Sequence, residues 1–354
     1  MATVNEQILD DAIRRQLDLQ GYSNAVVAKV IALLNRVDAD LLAQLANLDV
    51  DAADWSIRRL ESALAAVRQI NADAYRQAGD ELHGQLSELT GYEIGYQQQL
   101  FAHHLPVGVS FTGVTPAQVY AAAMARPFQG VLLREALAGL ESDRAARVRD
   151  AIRMGFVEGQ TNGEIIRRIV GTKANGYADG LMEIDRRNCE AIVRTAVNHT
   201  ANYSRQAFYE ANTDVVKAWQ FHATLDGRTT LQCAALDGKV FDLGKGPMPP
   251  RHYRCRSTSI PVLKSWQELG IDLPDAPPST RASMDGQVAG DMTFGQWIKG
   301  KPASFQDDVL GPTRGRLFRE GKMSVDSFVD NKGRVLTLDD LRRRDKAAFV
   351  RANL

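Results

Sequence analysis

The sequence predicts a mainly α protein with a small α+β domain, and three observations predict it. Before Pro106 glycine and proline are scarce and apolar residues recur three and four positions apart, the spacing of a helix face. Around Trp219 the period changes to two: Val215, Lys217, Trp219, Phe221 and Ala223 alternate with Val216, Ala218, Gln220, His222 and Thr224, as in a strand. After Ala276 short apolar groups are separated by Gly and Pro turn signals. These shifts divide the chain into a long-helix bundle or arm (1–105), a helical region (106–212), a small α+β unit (213–263), and a C-terminal extension (264–354) with a flexible linker and short helices, mostly irregular or helical.

The bulk properties exclude more than they assign. A chain of 354 residues is long enough for two or three units with a substantial core. Its 43 basic and 43 acidic residues balance, which gives no general electrostatic pull toward nucleic acid or membrane. Three scattered cysteines make no disulfide framework and suggest a reducing compartment. The first residues lack a cationic segment followed by an apolar one, and no apolar run reaches the ~20 residues that span a bilayer. The expectation is a soluble, cytoplasmic protein with no membrane contact.

In order along the chain, Val27, Val30, Leu34, Val37, Leu41 and Leu48 form one helical stripe, which resumes through Ile57, Leu60, Leu64 and Val67, then Leu82, Leu86 and Leu89, then Tyr92, Tyr96 and Leu100. An antiparallel bundle or arm suits so wide a stripe. Residues 106–115 read as a hinge, and Thr115 with Pro116 opens a helix that ends before Pro127. Residues 128–158 read as one or two helices with a break near Gly139 to Ser142. Thr161 and Glu164 form a capping box, with Gly171 as the stop. Residues 183–211 form a long amphipathic helix whose polar side carries Arg194, Asn198 and Arg205, either solvated or bracing the following strand. A short helix over 229–236 carries Cys233 on its inner face, with Gly238 as its stop, and strands follow at 239–242 and 258–263. Cys189 itself reads as a small buried hydrophobe. Ala276 to Ser279 marks a boundary, residues 280–291 a flexible connection, and Thr337 the start of a basic helix through Arg342, Arg343, Arg344, Lys346 and Arg351. That helix is a solvated end or a weak DNA contact.

The chemistry concentrates between Trp219 and Arg256, which holds two of the three cysteines and two of the six histidines. Cys233, His252 and Cys255 have donor types that suit a tetrahedral zinc ion, with Asp226 as the candidate fourth ligand and His222 as its alternative. A metal-free core of reduced thiols explains the same residues, and a catalytic centre with His222 or His252 as base and Asp226 as its orienter is a third reading. Asp226 also reads as a cap for the helix at Thr229, paired with Arg228, and Trp219 as a core anchor. The chain contains no nucleophile elbow, HExxH, P-loop or dinucleotide fingerprint.

The order Trp219, Asp226, Arg228, Thr229, Cys233, Asp237, Gly238, Pro249, Pro250, His252, Cys255, Arg256 resembles the head-morphogenesis family of tailed bacteriophages, the minor head proteins similar to protein F of phage Mu. Arg194, Thr195 and Asn198 are similar to the R-T-x-x-N pattern that precedes the motif in that family. Many members end the motif C-R-C, whereas Ser257 stands here, which shifts the fourth-ligand role to Asp226 or to no metal. The resemblance implies a minor structural protein of the virion, associated with the portal protein or procapsid and other head proteins, acting in head assembly or DNA delivery after assembly in the host cytoplasm. The alternative from another class is a metal-dependent hydrolase or nuclease built on Asp226, Cys233, His252 and Cys255. The head-protein reading carries no catalytic residue and no cofactor other than the zinc in question.

Overall fold

The computed structural model describes residues 4–46, 57–105, 109–270 and 280–354. Two long helices open the chain, α1 (Val4–Ala46) and α2 (Ile57–His104), followed by α3 (Pro116–Met124), α4 (Leu133–Val157), α5 (Asn162–Val170) and α6 (Leu181–Ala211). Then come β1 (Val216–His222), α7 (Leu231–Ala234), β2 (Val240–Asp242) and β3 (Thr258–Leu263). The chain ends in β4 (Thr280–Ser283), β5 (Gly286–Ala289), α8 (Phe294–Lys299), α9 (Ala303–Leu310), α10 (Pro312–Arg319), α11 (Leu338–Arg344) and α12 (Lys346–Arg351). The mainly α architecture with a small α+β part is the one the sequence predicts. The chain forms two compact units, each gathered from separated segments: one from residues 1–20, 90–119 and 198–354, the other from 21–89 and 120–197.

The second unit shows why its helices bury the faces they do. Val26, Val30, Leu34, Leu41 and Leu45 of α1 are buried, and the slot between Leu34 and Leu41 is filled by Asp38 rather than by the expected Val37. Asp38 can lie in an apolar stripe because it accepts from Arg144 and, at 2.8 Å, from Arg186. Leu41, Leu45, Leu64 and Val67 then pack with Val148, Ile152, Ile165 and Ile169. The α4 helix runs unbroken through the expected break at Gly139 to Ser142. A mid-helix glycine costs only about 1 kcal/mol relative to alanine, and buried Leu137, Leu140, Val148 and Ile152 hold the helix on both sides of it. The Thr161–Glu164 capping box and the Gly171 stop of α5 form as the sequence predicts.

In the first unit α2 shows the same displacement of the stripe. Tyr92 is exposed, and Glu93 is fully buried in its place. Its carboxylate accepts from Arg15 Nε at 2.7 Å and Arg205 Nε at 3.0 Å. Arg205, expected on the polar side of α6, is fully buried and also donates to Gln16 and to Thr258 of β3. An Arg-Glu-Arg triad therefore ties the start of α1, the end of α2, the end of α6 and the sheet. Partners advance along α1 as they recede along α2 here, Asp11 meeting Tyr96 at 2.9 Å and Arg15 meeting Glu93, so the two helices run antiparallel.

The sheet has the order β2-β1-β3 with both pairings antiparallel, and Trp219 lies opposite Phe241 and Pro261. Its core joins Trp219 and Phe221 to Phe101 and Phe208 of the helices and to Cys233 and Cys255. A second core gathers Phe294, Trp297, Leu310, Leu317, Phe328, Leu341 and Phe349 of the C-terminal helices with Leu225 and Ala234. Residues 280–289, expected to be a flexible connection, form the β4–β5 hairpin. Met284-Asp285 forms its turn, and Gly286, at φ 111°, opens β5. The expected boundary at Ala276 to Ser279, the hinge residue Pro106 and Leu48 lie outside the described residues. The single basic helix expected at the C-terminus is two short helices: Asp345 interrupts it and caps α12 by accepting from Ala348 N at 2.8 Å.

Candidate metal centre

Two segments build the site. The first is the short helix α7 behind β1. Thr230, not Asp226 or Thr229, is its N-cap: the Thr230 hydroxyl accepts the Cys233 N–H at 3.4 Å. This places Cys233 in the core, 1% exposed. The second is the loop between β2 and β3. Gly246 opens it at φ 88°, where a Cβ would meet the Phe241 ring, and the Pro249–Pro250 bond is cis. His252, Tyr253 and Arg254 then make a tight turn, with Arg254 at φ 60° and the Cys255 N–H donating to the His252 carbonyl at 3.2 Å. Cys255 is buried and His252 half-buried.

The turn is fixed from outside. Asn198 of α6 donates to the Cys255 carbonyl at 2.8 Å and to the Ser257 carbonyl at 3.2 Å. Asn202, one turn on, accepts from Ser259 N at 2.8 Å. Gln16 donates to the Arg256 carbonyl at 3.0 Å. Asn198 thus braces the approach to β3, whereas Arg194 bonds Glu190 and Asn24.

Cys233, His252 and Cys255 come together: one donor atom from each lies within 4.8 Å of the others, and the two sulfurs are 3.7 Å apart. The contact with Cys233 and then the His252 side chain hold the Cys255 thiol well below the ordinary range, against the effect of burial. Cys233, equally buried, is pushed well up by the contact with Cys255 and by burial. Burial works against a charged His252, but its bond to Cys255 and the charge there raise its pKa.

The other candidates for ligands do not join this group. Asp226 accepts a bidentate pair from Arg256, 2.8 Å for the longer bond, and also bonds Arg228 N and the Thr229 hydroxyl. His222 is buried, bonded to the Gln220 amide oxygen at 2.9 Å, and burial with the nearby Arg281 pushes its pKa well down, so it is neutral. Trp219 anchors the core, its indole N–H donating to the Lys245 carbonyl at 2.9 Å. The Arg228 side chain is exposed at 81% and lies 3.8 Å from Asp226. Thr229 donates to the Thr224 carbonyl.

Asp237 and Gly238 lie at the junction of β1, β4 and α8. Asp237 is buried and accepts Ala223 N at 2.7 Å, Phe294 N at 2.6 Å and both terminal nitrogens of Arg281. Gly238 has φ 78°, where a Cβ would also sit 3.0 Å from Thr293. Sequence reasoning missed Arg281 and Glu93, whose signal was a lone charge in an otherwise apolar or strand-like setting.

Residues 146–260, from the second half of α4 into β3, match the family model described as Phage Mu protein F like protein. No curated protein and no solved structure matches the chain.

Proposed function

We propose that this chain, which carries a Phage Mu protein F like domain and with it a role in phage head morphogenesis, is a minor structural protein of the head bound at the portal or inside the procapsid. Other head proteins are its partners, and the virion is its destination after assembly in the host cytoplasm. The observation that carries the reading is the family match itself, which runs over residues 146–260, through α6 and into β3, and includes the braced His252–Cys255 turn. Long helices with buried stripes suit a protein that docks into a larger assembly, and among the described residues no helix is long and apolar enough to cross a membrane. DNA delivery and a weak DNA contact through α11 and α12 belong to the same reading. The hydrolase or nuclease alternative needs a carboxylate free to orient His252 as base, and the engagement of Asp226 by Arg256 supports a non-enzymatic role.

The test is particle composition. Purified procapsids and virions, analysed by mass spectrometry, should contain the protein at low copy, and it should co-sediment with portal when procapsids are disrupted. Absence from both particle types would sink the proposal.

A further inference from the structure

We propose that Cys233, His252 and Cys255 bind a zinc ion, which clamps the loop after β2 onto α7 and leaves the fourth corner to water. The geometry fits the ion. Two sulfurs each about 2.3 Å from one zinc at the tetrahedral angle lie about 3.8 Å apart, and the observed separation is 3.7 Å. That is far beyond the roughly 2.05 Å of a disulfide. Three donors of the right softness converge within 4.8 Å, and among the described residues this is the group of His, Cys, Asp and Glu that does so.

The tautomer of His252 is the one a ligand needs. Its Nδ1 lies 2.8 Å from the Tyr253 carbonyl, which can only accept, so Nδ1 carries the proton and Nε2 keeps its lone pair. The Asn198 brace holds the turn in the ligating shape without help from the metal.

A zinc ion so held has three strong ligands and an open fourth position for water.

The experiment uses the full-length chain, purified under reductant with zinc supplied and then dialysed. Elemental analysis should find one zinc per chain, released by a mercurial thiol reagent in step with two reacting thiols. Cobalt in place of zinc should give an intense thiolate-to-metal charge-transfer band. Cys255→Ser should lose the metal and Cys189→Ser should keep it. Background zinc with no cobalt band overturns the proposal, as does a Cys233–Cys255 disulfide in protein whose thiols are trapped at lysis.

Discussion

Asp185 shows how a single buried residue sets a pH response. Its side chain is buried on α6, 3.2 Å from Arg147 and 3.9 Å from the Nε of Arg144, and burial raises its pKa to about 6 despite both arginines. The folded state therefore holds the Asp185 proton more tightly than the unfolded chain does. Stability from this group is fully present below the ordinary carboxylate value of 3.8 and is lost as pH rises through about 6. Chemical denaturation of the wild type and of Asp185→Asn across that window should show the wild type losing about 1–3 kcal/mol relative to the variant. Parallel pH profiles would refute the assignment. Residues of this kind were the least legible in the sequence. Asp38 and Glu93 sit next to the apolar positions Val37 and Tyr92, and hydrophobic periodicity selects the apolar neighbour because it cannot see the arginines that neutralise the acid.

Elements were read well where local chemistry alone decides them. The change of period at Trp219, the α5 capping box and the strands near 240 and 258 all depend on neighbours a few residues away. The hairpin at β4–β5 was missed because its strands are short and polar. What orders it is the buried Arg281, which donates to the Ala223 carbonyl at 2.6 Å and to Asp237. Asp237 in turn fixes the end of β1 through Ala223 N and the start of α8 through Phe294 N. One carboxylate thus connects three elements, and its loss strands a buried guanidinium. Asp237→Ala should cost about 3–5 kcal/mol in thermal or denaturant unfolding, and Arg281→Ala a similar amount. Within the candidate site, the sequence made the donor types visible, while the separation of Asp226 from the cysteines emerged only with the fold, since Arg256 claims it from 30 residues away.

At the scale of the molecule, the four consecutive segments suggested by composition are re-sorted: residues 1–20, 90–119 and 198–354 share a unit whose cores draw on both ends of the chain. Composition shifts mark changes along the chain, whereas a unit is defined by which segments bury each other's surface. The buried triad has a further consequence for synthesis. Glu93 and Arg205 are 112 residues apart, an interval that takes a ribosome on the order of ten seconds. Until Arg205 emerges, the end of α2 has an acid on the face it must later bury and no sheet to bury it against. Ribosome-stalled chains ending before Arg205 should be cleaved by protease around residues 90–105, and chains released at full length should resist there; equal protection in both would disprove this order of events. The protein's first helices are thus made early but finished late, and the nascent chain needs shelter for the whole of that wait.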